Sequence, residues 1–296
     1  MEYVCYLNII PDEIVKYIIS LTENKVFDLC LINKYFDNNC KVLRITDNNK
    51  YPKLTDFNLK ELVNITCLNL CFNDKVTDEG IRRLINLTYF YLCRNSIITN
   101  EGIKQSINLI SLNLTDNNII TDNGIIKLTN LAFLDLSNNN KITNKGIKEL
   151  INLTSLNLRN NDTITNKGIK ELNNLTSLNL FNNNIITNEG IKGLINLTSL
   201  NLSDNRIITD DGIKSLINLT SLDLSYNDEI TDKGIKWLTN LTSLNLYNNK
   251  IITNEGIKVL TNLTFLDLYN NETITDEGIK VLTNLKNLQH NRIKEF

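Results

Sequence analysis

The sequence predicts an α/β solenoid, a curved stack of short units with a parallel β-sheet on the concave face and short helical turns on the convex face. Three observations carry this. Ten of the eleven glycines in the 296-residue chain fall at 22-residue intervals, from Gly80 to Gly278. An asparagine keeps the same register from Asn73 to Asn271. A threonine follows it four residues later each time, from Thr77 to Thr275. A fixed period of this length means stacked units that each bury a face only against their neighbours.

The elements follow from the clearest unit, Leu197 to Asn218. In Leu197-Thr198-Ser199-Leu200-Asn201-Leu202 the leucines at 200 and 202 alternate with polar residues, the pattern of a strand with one buried face. Stacked units align these strands in parallel at about 4.8 Å spacing. Asn205 turns the chain and is expected to be buried, bonding the backbone of adjoining units. Ile208 returns to the core. Thr209 and Asp210 open a short helical turn that puts Ile213 and Leu216 on one buried face. The glycine within that turn answers either a close backbone approach or a positive φ.

The unit, with its L-x-x-L-x-L-x-x-N core, resembles the leucine-rich-repeat family, whose period runs from 20 to 29 residues. The resemblance covers nearly the whole chain. Its Thr-Asp-x-Gly-Ile-x-x-Leu portion is similar to the convex side of cysteine-containing or F-box-associated repeats, but shorter and without their cysteine. The reading gives a degenerate first repeat at 40–64, three residues long with Pro52 in the extra segment, ten regular repeats at 65–284, and a truncated last repeat at 285–296. In that last repeat His290 takes a leucine's place.

Residues 1–39 leave the register. Ile14, Val15, Ile18 and Ile19 recur at helical spacing after Pro11-Asp12-Glu13. A second apolar cluster runs from Val26 to Ile32. A small α-helical cap over the first repeat is one reading, since a solenoid must hide its open core end. The other is that Ile10-Pro11-Asp12-Glu13-Ile14, with the stretch from Asp28 to Phe36, resembles an F-box. Departures are Ile10, Ile32 and the polar run Thr22 to Lys25. That resemblance implies a Skp1-like adaptor docked by Pro11, Ile14, Ile18 and Leu21. The repeats would then hold a target for ubiquitin transfer, as in the F-box/LRR-repeat family.

The concave face is where such solenoids bind a partner, and here it is mostly Thr, Ser and Asn. Specificity must then lie in the departures: Tyr89, Tyr91, Arg94, Phe133, Arg159, Phe181, Tyr226, Tyr247, Phe265 and Tyr269. Aromatic and arginine side chains dominate interface hot spots; pairing across strands is the competing reading. Tyr247 and Tyr269 are one repeat apart, hence neighbours. Trp237 is expected to pack on the convex side, and Lys148, Lys170 and Lys214 to be solvated.

A net charge of −2 argues against a nucleic-acid partner. No apolar run is long enough to span a bilayer, and the N-terminus makes a poor secretory signal. The six cysteines form no Cys-x-x-Cys pair, which fits a reducing, cytoplasmic setting. Cys71 and Cys93 are equivalent in adjacent repeats; free thiols are expected, with a disulfide or metal site as the alternative. The one histidine, His290, supports neither a catalytic triad nor a zinc motif. No enzyme activity, cofactor or metal is expected. Twelve Asn-x-Ser/Thr matches, among them Asn86, Asn152 and Asn196, arise from the repetition of Asn-Leu-Thr. The 52 asparagines reflect composition as much as structure.

Overall fold

The computed structural model describes residues 44–46, 54–60 and 63–290. The N-terminal segment, with Pro11, Ile14, Ile18 and Leu21, lies outside the described residues. Twelve strands form one parallel sheet in chain order. They are β1 (Arg44–Thr46), β2 (Cys67–Asn69), β3 (Tyr89–Tyr91), β4 (Ser111–Asn113), β5 (Phe133–Asp135) and β6 (Ser155–Asn157). The series continues with β7 (Ser177–Asn179), β8 (Ser199–Asn201), β9 (Ser221–Asp223), β10 (Ser243–Asn245), β11 (Phe265–Leu268) and β12 (Asn287–His290). Each strand is followed by a short helix except the last, from Asp56–Leu59 to Asp276–Lys280.

The pairing register is the sequence register. Leu200 of β8 faces Leu222 of β9, with Ser199 opposite Ser221 and Asn201 opposite Asp223. Only the first step differs: Arg44 pairs with Cys67, 23 residues on, so strand to strand the degenerate repeat is one residue long rather than three. At the other end His290 pairs with Leu268, in the place of the missing leucine.

The strand leucines and helix-flanking residues form one continuous core, with Leu202, Ile208, Ile213 and Leu216 fully buried. Its polar element is the asparagine ladder. Asn227 shows the pattern: its Nδ2 donates to Leu202 O at 3.0 Å and Asn205 O at 2.9 Å, in the preceding repeat. Its Oδ1 accepts from the backbone of Glu229 and Ile230, both at 3.1 Å. One amide thus bonds four backbone groups of two repeats, with Leu202 O accepting from Asn205 N as well, at 3.2 Å.

The glycine question resolves to close approach, since no described glycine has a positive φ. A Cβ on Gly212 would lie 2.6 Å from Asn188 Oδ1. That oxygen accepts from Thr209 N, and Asn188 Nδ2 donates to Thr209 Oγ1, both at 2.9 Å. Gly, Asn/Asp and Thr therefore repeat together because each convex turn locks onto the next. Thr209 is the N-cap, as expected, but makes no side-chain cap bond; its hydroxyl accepts from Asn188 Nδ2 instead.

Candidate functional site: the concave face and its turn edge

The concave surface is set by strand alternation: the middle leucine of each strand points in and its neighbours point out. Ser155, Ser177, Ser199, Ser221 and Ser243 form one row; Asn157, Asn179, Asn201 and Asn245 form the next. Beyond each strand from β2 to β11 lies a tight turn whose second residue has a left-handed backbone, φ 47–60°. Asn or Asp occupies it in most repeats, as their short polar side chains allow. Phe72, Arg94 and Tyr226 occupy it too, at φ 60°, 51° and 54°. A large side chain there costs about 1 kcal/mol or more, so these positions are not explained by folding.

The ten expected contact residues do not form one patch. In the N-terminal repeats Tyr89 is 41% exposed and Tyr91 half-buried on β3. Arg94 pairs with Asp116 at 2.8 Å and lies over the Phe72 ring, 5.4 Å from its centroid. Phe133, half exposed, stands on β5 between Ser111 and Ser155. Arg159 lies 4.4 Å over the Phe181 ring, one repeat further on. Toward the C-terminus Tyr226, Tyr247 and Tyr269 form a ladder along the turn edge. Tyr226 and Tyr247 are tilted with centroids 5.2 Å apart. Tyr247 and Tyr269 stack at 6.1 Å and 9°, as adjacent-repeat neighbours should. The Tyr247 hydroxyl beside Tyr226 raises the Tyr226 phenol above its usual range. Phe265, half-buried, begins β11.

Phe72 is absent from the sequence expectation. The signal that finds it is its register, since it holds the same turn position as Arg94 and Tyr226.

Two expectations are corrected. Cys71 and Cys93 are joined in a disulfide, Cα to Cα 4.6 Å, not free thiols. The 22-residue register makes them facing residues at the inter-strand spacing, which suits a bridge. Cys67 on β2 is buried and lies outside that bridge. Trp237 does not pack into the convex side: it is 59% exposed, with Lys236 Nζ 4.9 Å over its ring. Its place after the helix, between core residues Ile235 and Leu238, turns it outward. Lys148, Lys170 and Lys214 are exposed, as expected.

A groove of about 940 Å³ runs along the opposite, strand-entry edge from Asn174 to Lys286. Its groups are committed to the fold: Asn218 Nδ2 donates to Ile195 O at 2.9 Å and Thr220 Oγ1 to Thr198 O at 3.1 Å. The aromatic positions are not part of it. Among the described residues no three His, Cys, Asp or Glu gather as metal ligands, and no helix is long and apolar enough to cross a membrane.

The Leucine Rich repeat family matches residues 61–85 and nearly all of 105–283, as eight further consecutive repeats. No curated protein matches the chain. Among solved structures, it is similar to an internalin (inlF) from Listeria monocytogenes, with TM-score 0.56 and 24% identity over 80% of this chain and 77% of that one. It is also similar to the Rad7 and Elc1 complex in yeast, with TM-score 0.53 and 20% identity over 94% of this chain and 83% of that one. These likenesses concern the fold. With the matching repeats spanning well over half of its length, the chain belongs to the leucine-rich-repeat family.

Proposed function

We propose that this protein is an interaction scaffold whose concave face and turn edge hold a protein target, rather than an enzyme. The observation that carries the reading is the contrast between the uniform Ser/Asn rows and the few aromatic and arginine interruptions. Those interruptions are exposed at Tyr89, Phe133, Tyr226 and Tyr269. At Phe72, Arg94 and Tyr226 the backbone is held where such residues are costly. Exposed Tyr, Phe and Arg are the side chains that anchor interfaces.

Its finer form is the target-recognition subunit of an intracellular SCF-type ubiquitin ligase. The support is the F-box-like sequence Ile10-Pro11-Asp12-Glu13-Ile14 and Asp28 to Phe36, directly followed by repeats. The yeast neighbour of similar fold is itself a complex, of Rad7 with Elc1. The test is co-purification with a Skp1-like adaptor. The intact chain should retain it, and Pro11→Ala with Ile14→Asp should release it without lowering the unfolding midpoint of the repeats. No retention by the intact chain would leave only a free-standing scaffold, its N-terminal residues serving as a cap.

A second reading, a leucine-rich-repeat protein of an oxidising compartment, is favoured by the Cys71–Cys93 disulfide. Against it stand the sequons. Asn152 Nδ2 donates to Thr129 O at 2.9 Å and Asn196 Nδ2 to Asn173 O at 2.8 Å, so the nitrogens that would carry glycans bind the preceding repeat. Glycans on the native protein would decide for this second reading.

A further inference from the structure

The aromatic positions of the turn edge fall into two kinds. Phe72 and Phe181 each carry a guanidinium of this chain over the ring, from Arg94 and Arg159 in neighbouring repeats. The tyrosine ladder carries none: among the described residues no Lys or Arg lies over Tyr226, Tyr247 or Tyr269. Yet Tyr226 and Tyr269 are each 48% exposed.

Carboxylates surround these rings. Asp223 and Asp267 flank Asn245 in register on the concave face. Tyr226 follows Asp223 by three residues and Tyr269 follows Asp267 by two. One oxygen of each carboxylate is spent inside its own turn, at 2.9 Å from Ser225 N and Tyr269 N, and the second oxygen of Asp223 accepts only long bonds from the amides of Asn245 and Asn201, at 3.4 and 3.5 Å. No ion pair among the described residues engages either. The segments 223–229 and 267–272 add Asp228, Glu229 and Glu272 and hold no Lys or Arg. Between them Lys250 is the one basic residue of the middle turn.

We propose that the Tyr226–Tyr247–Tyr269 ladder, with Asp223 and Asp267, is the docking site for an arginine-bearing basic segment of the protein partner. The inference rests on the scaffold reading and names the chemistry of what the scaffold holds. A guanidinium is planar, so one face stacks on a tyrosine while its N–H edge turns to the carboxylate that precedes that ring by two or three residues. An ammonium makes the charge contact without the stacked plane. Arg94, over the Phe72 ring at 5.4 Å and paired with Asp116 at 2.8 Å, is the same arrangement made within the chain. At the C-terminal repeats the ring and the acid are present and the cation is left to the partner.

The test uses the full chain and a fluorescently labelled peptide of alternating Arg and Gly, beside its Lys-Gly and Glu-Gly counterparts, at physiological salt. The arginine peptide should bind several-fold more tightly than the lysine peptide, and the glutamate peptide not at all. Tyr247→Ala with Tyr269→Ala should weaken it roughly tenfold, whereas Tyr247→Phe with Tyr269→Phe should keep it, since the ring face is what binds. Asp223→Asn with Asp267→Asn should weaken it and flatten its salt dependence. Equal binding of the three peptides, or binding indifferent to both the Ala and the Asn pairs, would overturn the proposal. The scaffold reading is judged apart from this, by whether the intact chain retains a protein partner at all. A partner that stays bound to the Tyr→Ala pair refutes the docking site and leaves the scaffold standing.

Discussion

The buried ladders and the turn edge obey opposite rules. In the ladders most repeats make the same bonds: Asn227 does for its repeat what Asn117 does for its own, with the same donors and acceptors. At the turn edge the position before that asparagine is Asn or Asp in most repeats, but Phe72, Arg94 and Tyr226 in three. Where each unit must match the next, folding explains the residue. Where a unit departs from its neighbours at a cost in backbone strain, the repeat itself does not explain the residue, and the proposed partner contact is what would.

The largest expected effect sits on the ladder side. Asn227→Ala removes a bond from two carbonyls and two N–H groups, of which Leu202 O keeps Asn205 N and the others lose this partner. It should cost about 3 kcal/mol or more of stability by urea denaturation. A cost below about 1 kcal/mol would mean that water replaces the ladder amide.

Next come two glycines that separate register from accident. Gly212→Ala forces a methyl to 2.6 Å from an Asn188 oxygen already held by Thr209, so it should destabilise by about 1–3 kcal/mol. Gly193, outside the register, has nothing within 4 Å of an added Cβ and no positive φ. Gly193→Ala should raise stability by about 0.5 kcal/mol. Equal effects at the two sites would remove the interlocking-turn account of the repeat glycine.

On the turn edge the sign reverses. Tyr226→Asn restores the residue most repeats use at a φ of 54° and should stabilise the chain by about 1 kcal/mol while weakening partner binding. Stabilisation without loss of binding would make Tyr226 a tolerated accident.

The smallest effect is electrostatic and local. Lys214 holds the Asp211 carboxyl below its usual range through a hydrogen bond. A depressed carboxyl lends its stabilisation above the ordinary carboxylate pKa and loses it as pH falls through the lowered value. Lys214→Ala should move the Asp211 titration, followed by NMR, back up. The stability of this fully exposed pair should hardly change.

These contrasts track what was legible in the sequence. The strand leucines, the buried asparagine and the threonine N-cap could be read from one unit, because alternation and capping are local rules. The reason for the glycine could not, since it lies in Asn188 of the preceding repeat, not in Gly212. The left-handed turn was hidden because Tyr226 and Arg94 are not residues that announce a positive φ. The disulfide was visible only as a register coincidence of Cys71 and Cys93. Trp237 was misread because its neighbours Ile235 and Leu238 are core residues while its own direction is outward. The ten expected contact residues could be read as departures from the repeat, but their division into self-covered and bare rings depends on Arg94 and Arg159 reaching across repeats.

The central claim is that partner recognition resides in the residues that break the repeat. The most direct measurement compares the intact chain with a version whose breaks are reset: Tyr89→Ser, Phe133→Ser, Phe181→Ser, Tyr226→Asn, Tyr247→Ser and Tyr269→Ser. Unfolding midpoints and the proteins each version retains from cell extract would be quantified side by side. The account predicts an unchanged or higher midpoint, with loss of the proteins held by the concave face. An equally stable reset chain that retains the same proteins at the same level would contradict it.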